Sequence, residues 1–403
     1  MSNKNILFIS ALDFKEKSIQ VIRKTPEAYR EAGFRVDYLV ARDDVPNGNY
    51  SYERLIDPPG IRVYRIYWPL GYLRSRLGRF SSLIIGKFTS LYVVLRLGLA
   101  AILLLKKNRY DVVYGYELHG VLALNLIRFF LPRGTTTVAR FQGTFLNEML
   151  VQKQFLRICF NLDLILAIRA DSDLLIMTDD GTQGDLAVKK IKGKKPFRMV
   201  FWTNGVDYLP QKTPRPFEHD DKEVFVSISR LVKWKRIDRN LSIMKQLLEL
   251  DYTNFVYYII GDGADRKRLE SLCEKLGLSN HVVFVGSLEH SSAIAFLVNS
   301  DVFFSMYSSS NVGNPLLEAI RANKIIVTLA NGSTGEWIRH RTSGLIYDEK
   351  DLNYGEVAQD IVDLISDELD QEKMKKCLRD VEKQKLLTWK KRLHKEVTLV
   401  RDL

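Results

Sequence analysis

Short apolar runs alternating with amphipathic helical stretches constrain this chain more than any other feature. "NILFIS" leads to a helical pattern around 20–32 and then to "RVDYLVA"; "DVVYGYE" leads to a helix around 121–130 and then to "TTTVARF". "LDLILAIRADSDLLIMT" reads as a helix running into a strand. After "RMVFWTNGVD" the pattern restarts: "VFVSISR", a helix from about 239, "FVYYIIGDG", a helix through 276, then "HVVFVG", "DVFFSMY" and "KIIVTLA" with short helices between. Strands separated by helices of this length build parallel sheets, because a parallel pair needs a crossover connection. Continuous rather than alternating apolar strands fit sheets covered on both faces. The expected class is α/β, with two similar halves, and 403 residues suffice for two cores. The hinge is placed in "TNGVDYLPQKTPRPFEHDD", residues 203–221, rich in proline and polar residues. The tail spaces Leu386, Trp389, Leu393 and Val397 as a packed terminal helix would. The expected domains are 1–205, joined by 385–403, and 206–384.

Net charge is +12, which points toward anionic partners. Within residues 58–110 stand ten basic residues and no Asp or Glu: Arg62, Arg65, Arg74, Arg76, Arg79, Lys87, Arg96, Lys106, Lys107 and Arg109. Tyr67, Trp68, Tyr72, Phe80, Phe88 and Tyr92 are interleaved with them. This is either a solvated face or a surface resting on anionic lipid around aromatic anchors. Inside it, "FTSLYVVLRLGLAAILLL" carries one charge in 18 residues. A membrane span usually needs about 20 apolar residues. A strand-like "YDVVYGYE" follows, so a buried crossover helix is expected, with a transmembrane helix as the alternative. Cys159, Cys273 and Cys377 lie too far apart for a metal-ligand spacing or a disulfide framework, which points to a reducing compartment. "MSNKNILFISAL" is expected to be a first strand and not a signal peptide. No nucleic-acid motif accompanies the charge, so no nucleic-acid partner is expected.

In open parallel sheets ligands sit at the carboxyl ends of strands. In the second half those ends carry "SRLVKWKR", "GDGADR", "GSLEHS", "SSSNVGNPLLEA" and "NGSTGEW". Arg230 and Lys235 follow the first of these strands. Gly313 lets backbone approach a ligand, and Pro315 suits the first turn of the next helix. Free N–H groups at that helix start form an anion site. Cations beside a helix start imply a phosphate or diphosphate, and Glu318, one turn in, is placed to accept hydrogen bonds from ribose hydroxyls.

These motifs, in this order over about 150 positions, resemble the donor domain of retaining glycosyltransferase family 4, which has the GT-B fold. "SISRLVKWKRID" is similar to that family's Arg-Leu-Val-x-x-Lys-Gly-x-Asp segment. "IIGDGADRKRLESLCEKLGLSNHVVFVGSL" is similar to its Gly-x-Gly strand, helix and Phe-x-Gly strand. "SSSNVGNPLLEAIRANKIIV" resembles its E-x7-E stretch, "NGSTGEWIRHRTSGLIY" its closing loop and "WTNGVD" its interdomain Asn-Gly-Val-Asp. The resemblance implies two Rossmann-like domains facing a cleft, with the C-terminal helix packing back on the first. It implies a hexosyl-type transferase moving sugar from a nucleotide-diphosphate sugar to a glycan or lipid-linked acceptor in cell-envelope polysaccharide or glycolipid synthesis. That places it in the cytoplasm or on the inner face of the membrane. By the same resemblance Arg230 and Lys235 hold the diphosphate, Glu318 binds the ribose, and amides near Gly313, Asn314, Pro315 and Leu316 meet the distal phosphate and sugar. Gly286 and its neighbours line the base pocket, and Gly263 is a further donor-binding position. The charge is met by side chains and amides, so no cofactor and no obligatory metal are expected.

Four departures stand out. Ser310 occupies the position of the first glutamate of E-x7-E, and Asn311 is the expected substitute. In "ARFQGTFL" Gln142 stands where the family has a histidine near the reacting sugar; glutamine carries no proton but can hydrogen-bond a hydroxyl. Lys17, Ser18 and Gln20 replace a Gly-Gly loop, and Arg236 replaces a glycine. The alternative function is therefore a catalytically silent homologue acting as a binding or regulatory partner. Remaining candidates carry two readings each. Glu117 and His119 either line the cleft or serve structure. "TDDGTQGD", residues 178–185, either contacts a substrate or is a turn and helix cap. Glu336 either contacts sugar or opposes a helix dipole, and "DSD" at 171–173 reads as a helix-to-strand junction. His281, His290, His340 and His394 show no ligand spacing and are expected at the surface.

Overall fold

The computed structural model describes residues 4–14, 20–42, 55–67, 79–210, 213–217 and 221–403. Lys17, Ser18, Trp68, Tyr72, Arg74 and Arg76 lie outside them. The chain forms two compact units: residues 1–178, 184–202 and 389–403, and residues 179–183 with 203–388.

The first unit holds a seven-stranded sheet of β1 (Asn5–Ser10), β2 (Arg35–Arg42), β3 (Ile61–Tyr67), β4 (Val112–Tyr116), β5 (Thr136–Phe141), β6 (Leu174–Thr178) and β7 (Met199–Trp202). Their order is β3-β2-β1-β4-β5-β6-β7, and every neighbouring pair is parallel. Both faces are covered, as the continuous apolar runs require. On β1, Ile6 and Phe8 join a core with Tyr29, Tyr38 and Tyr114, whereas Leu7 and Ile9 join one with Val93, Leu97 and Val113. The helix Trp389–Arg401 puts Trp389, Leu393 and Val397 into the first of these cores.

Strand β3 is absent from the sequence reading, which took "IRVYRIY" for part of a basic stretch. Its arginines explain both facts. Arg62 makes two hydrogen bonds to Asp37 (2.6 and 3.0 Å), and Arg65 reaches Asp13 (2.8 Å) and Asp57 (2.7 Å). Those charges are neutralised inside the unit, so they do not belong to a free cationic surface. Lys87 likewise pairs with Asp163 at 2.8 Å.

The helix Arg79–Lys107 is a crossover helix, but only half fits the expectation of burial. Val93, Val94, Leu97 and Ala101 are buried against the sheet, while Phe88, Leu91, Leu95, Leu99 and Leu103 are exposed. By length and composition alone its Ile85–Lys107 stretch is also long and apolar enough to cross a membrane, and 33% of its most apolar window is buried.

The second unit holds β8 (Glu223–Ile228), β9 (Phe255–Ile260), β10 (Val282–Gly286), β11 (Val302–Ser305), β12 (Ile325–Leu329) and β13 (Leu345–Tyr347) in the parallel order β10-β9-β8-β11-β12-β13. The short β13 falls in what the sequence suggested was a loop. Strand order reverses between β8 and β11, which opens a crevice at their carboxyl ends.

The unit boundaries differ from the expected ones for local reasons. Val206 N–H donates to Leu387 O (2.9 Å), so both connecting strings stay with the second unit. Leu386 packs in the second unit's core, and the break at 386–388 separates it from Trp389. Residues 179–183 leave β6 yet are bound into the second unit.

Candidate donor site of the second unit

The crevice between β8 and β11 gathers most of the predicted residues. The exit of β8 runs through Arg230 into the short 3-10 turn Lys233–Lys235. Leu231 N–H donates to Asp262 O, and Asp265 N–H donates to Leu231 O, both at 2.9 Å, so the exits of β8 and β9 are knitted together. This close approach explains Gly263, where a Cβ would stand 2.3 Å from Leu231 O. Gly286, at φ +88°, accepts a backbone hydrogen bond from Gly261 at 2.8 Å. Gly313 is different. Its φ is −85° and a Cβ there would meet nothing closer than 3.7 Å, so neither conformation nor internal packing demands glycine. It keeps open the space in front of the helix Asn314–Arg321. That helix begins without a side-chain cap, with Pro315 in its first turn, and its leading amides remain free for an anion. Leu316 is buried beneath it, and Asn314 Oδ1 accepts from Asn204 at 2.9 Å.

The Arg230 guanidinium is exposed and makes no ion pair among the described residues. Lys235 Nζ lies 3.6 Å from the Tyr307 ring centroid and 4.1 Å from that of Trp234. Burial, then the Arg230 charge, lower its pKa to about 7, with Asp180 acting in the opposite direction. An ammonium held at low affinity for its proton beside a second cation is stabilised by the approach of negative charge. Glu318 is buried in the same helix and its Oε1 meets His290 Nε2 at 2.7 Å. His290 therefore departs from the expected role of a plain surface group. Its contact leaves the other Glu318 oxygen without a hydrogen bond among the described residues.

The loop 307–313 resolves the Ser310 departure. Asn311 does not replace the missing glutamate: its side chain is fully buried and saturated. Oδ1 accepts from Ser305 Oγ (3.0 Å) and Tyr307 N (3.2 Å), and Nδ2 donates to Tyr307 O (3.1 Å) and Asn331 Oδ1 (2.7 Å). Ser310, at φ +58°, instead donates to Asp180 Oδ2 (2.9 Å). Asp180 arrives from the β6 exit, where Thr182 donates to its Oδ1 from N–H (3.1 Å) and hydroxyl (2.5 Å). Ser333 Oγ holds the neighbouring Asp179 (2.7 Å), and Ser333 N–H holds Gly181 O (3.3 Å). A carboxylate thus stands beside residue 310 although the sequence there has none. Burial raises the Asp180 pKa, against the hydrogen bonds from Thr182 and Ser310. The "TDDGTQGD" exit was the one sequence signal for it.

Arg236 occupies a left-handed conformation, φ +48°, which accounts for the glycine common at that position. Its side chain pairs with Asp238 at 3.0 Å.

In the first unit, Gln142 follows β5. Its N–H donates to Glu117 Oε1 (2.6 Å), and its side-chain Nε2 is a buried donor with no partner in the described structure. Glu117 itself has φ +59°. His119 meets Ser90 Oγ at 2.9 Å, and burial lowers its pKa to about 4. It is a neutral packing residue between two helices. Asp171 pairs with Lys195, and Asp173 accepts from Thr137, so the "DSD" junction is structural. Glu336 is exposed at the end of a single 3-10 turn.

Residues 211–381 match the family described as glycosyl transferases group 1. A lipopolysaccharide core biosynthesis glycosyltransferase of Rhizobium meliloti is 31% identical over 130 residues, 32% of this chain and 35% of that one. A phosphatidylinositol N-acetylglucosaminyltransferase component of Arabidopsis thaliana is 26% identical over 167 residues, 41% of this chain and 37% of that one. The matched stretch thus spans about a third of these relatives. Among solved structures, sucrose-phosphate synthase of Thermosynechococcus elongatus superposes over 99% of both chains with a TM-score of 0.72 at 16% identity. The second unit is a group 1 glycosyltransferase domain. The chain as a whole has the GT-B fold.

Proposed function

We propose that this chain is a retaining glycosyltransferase. It moves a sugar from a nucleotide-diphosphate sugar to a glycan or lipid-linked acceptor, in cell-envelope polysaccharide or glycolipid synthesis at the cytoplasmic face of a membrane. The observation that carries the reading is the Arg230–Lys235 pair at the β8–β11 crevice, with the free start of the helix Asn314–Arg321 and the half-satisfied Glu318 beside it. This set is built for a diphosphate and a ribose. Support for the class of acceptor comes from the relatives, which act on lipopolysaccharide core and phosphatidylinositol by name. Structures of the same fold hold UDP-glucose or UDP with glucose. In this reading the bond from sugar C1 to the diphosphate oxygen breaks, and its electron pair stays on the phosphate. Arg230 and Lys235 stabilise that charge. The acceptor hydroxyl bonds to C1 on the face the nucleotide leaves, and its proton passes to the departing phosphate oxygen. No protein nucleophile is required, so Gln142 in place of histidine removes no obligatory step; its unpartnered amide donor serves a sugar or acceptor hydroxyl. Side chains and amides supply the positive potential, so the scheme requires no metal.

The anomeric configuration of the product, read by NMR coupling constants, tests the stereochemistry: the configuration of the donor is kept, and an inverted product refutes the retaining scheme. Asp180 supplies the carboxylate for the donor sugar hydroxyls. Asp180→Asn keeps the Ser310 and Thr182 contacts in part but loses the charge, and is expected to lower kcat/KM by about 10–100-fold, the scale of one lost charge-assisted hydrogen bond. An unchanged kcat/KM would leave Asp180 a loop staple only.

A further inference from the structure

The first unit carries a broad apolar face that its own core does not use. On the helix Arg79–Lys107, Phe88, Leu91, Leu95, Leu99 and Leu103 recur at three- and four-residue spacing and all are exposed, Phe88 by 68%. They form a second stripe on a helix whose inner stripe is already committed to the sheet. The face continues onto neighbouring helices. The helix Glu117–Ile127 packs against Arg79–Lys107 and against the helix Leu162–Arg169, and Gly98 lies under Leu126. Lys87 bridges the outer helices through Asp163 and lies 6.0 Å from the Phe160 ring. Phe155, Leu156, Leu162 and Leu166 are exposed on that side, Leu156 by 88%. Single exposed apolar residues are ordinary; a continuous field over several helices is not.

We propose that this face is a membrane-docking surface that takes a bilayer containing anionic lipid, with the helix Arg79–Lys107 lying in the plane of the interface. Charge complementarity selects the occupant. Arg96, Lys106, Lys107 and Arg109 are exposed along the same helix and its end, and residues 58–110 contain no acidic group. Cations beside apolar side chains match the headgroup and acyl layers of an anionic leaflet. A second copy of the chain fits less well, because a two-fold contact brings this cation-bearing patch, with no acid of its own in residues 58–110, against a copy of itself. Spanning is also disfavoured, since Val93, Leu97 and Ala101 are held in the sheet's core and would have to leave it. The surface differs from the one the sequence suggested: Arg62, Arg65 and Lys87 are neutralised internally, and apolar side chains of the helix carry the contact. The proposal deepens the membrane placement in the proposed function, but vesicle binding is read without any sugar transfer, so its failure is distinguishable from failure of the donor site.

Co-sedimentation of the full chain with phosphatidylcholine vesicles, with and without phosphatidylglycerol, tests it. The chain is expected to pellet with the anionic vesicles and to be released in part by salt. Leu99→Glu with Leu103→Glu, and separately Lys106→Glu with Lys107→Glu, should each reduce partitioning by about tenfold or more, with unchanged circular dichroism. Both pairs are exposed, so neither change disturbs the core. Failure to bind either vesicle, or equal binding by the variants, overturns the proposal. So does a dimer in sedimentation velocity that Leu99→Glu dissolves while vesicle binding is absent.

Discussion

Lys235→Ala is expected to reduce donor turnover by about 10²–10³-fold, the cost of removing one preorganised charge from a developing anion. The loss should fall mainly on kcat if the contact strengthens as the leaving diphosphate gains charge, with a smaller rise in KM. Lys235→Arg should not restore it fully, because the ammonium is a compact charge 3.6 Å from the Tyr307 ring centroid and 4.1 Å from that of Trp234, and a longer, planar guanidinium puts its charge elsewhere. The same residue predicts a pH effect. Burial and the Arg230 charge lower its pKa to about 7, so it is protonated below that pH and mostly neutral at pH 8. A diphosphate binds the ammonium form, so donor binding at pH 8 takes up nearly one proton and at pH 6 little. Affinity at pH 8 should be about tenfold weaker than at low pH, one pH unit beyond the free pKa. Calorimetry in buffers of different ionisation enthalpy measures the uptake directly. Equal enthalpies in all buffers at pH 8 would show that the lysine is already charged.

Glu396→Ala is expected to destabilise the first unit by about 3–5 kcal/mol, the cost of stranding buried charge. Glu396 is wholly buried on the helix Trp389–Arg401, between Arg140 of β5 (3.2 Å) and Arg392 (2.9 Å), both of them buried. Tyr114 donates to it at 2.9 Å, and Arg140 also donates to Thr25 at 3.0 Å. Removing the anion takes from two buried guanidiniums the carboxylate that both of them pair with. The thermal transition of the first unit should drop by roughly 10 °C for a unit of this size. Burial pushes the Glu396 pKa up, but Arg140 and Arg392 outweigh it and the net shift is downward. Its folded pKa is thus below its unfolded one. Its contribution is therefore present above the ordinary carboxylate pKa and is lost as pH falls through the depressed folded value. A variant as stable as the wild type would mean that the cluster relaxes to admit water.

The elements legible in the sequence are those whose cause is local. Runs such as "FVYYII" are buried on both faces whatever surrounds them, so β9 and its kin announce themselves. β3 does not, because its arginines become compatible with a sheet only through Asp37, Asp13 and Asp57, which lie elsewhere in the chain. The same distinction runs through the site. Arg230, Lys235 and Glu318 could be placed because strand ends and a helix start fix them within a few residues. Asp180 stands beside Ser310 across 130 residues, and His290 reaches Glu318 across 28, so no local pattern joins either pair. Asn311 shows the reverse error. Its type suited a ligand, but the 307–311 loop uses all its hydrogen-bonding capacity. The apolar stretch of the helix Arg79–Lys107 concealed two stripes of opposite use, since a run that is apolar all round carries no phase to tell the buried face from the exposed one.

The transferase reading stands or falls on binding and slow hydrolysis of a panel of nucleotide-diphosphate sugars by the wild type and by the Arg230→Ala, Lys235→Ala double variant. One sugar nucleotide is expected to bind the wild type and be slowly hydrolysed, and the variant to keep its fold and lose both. Failure of every sugar nucleotide to bind a folded wild type at millimolar concentration would contradict that reading.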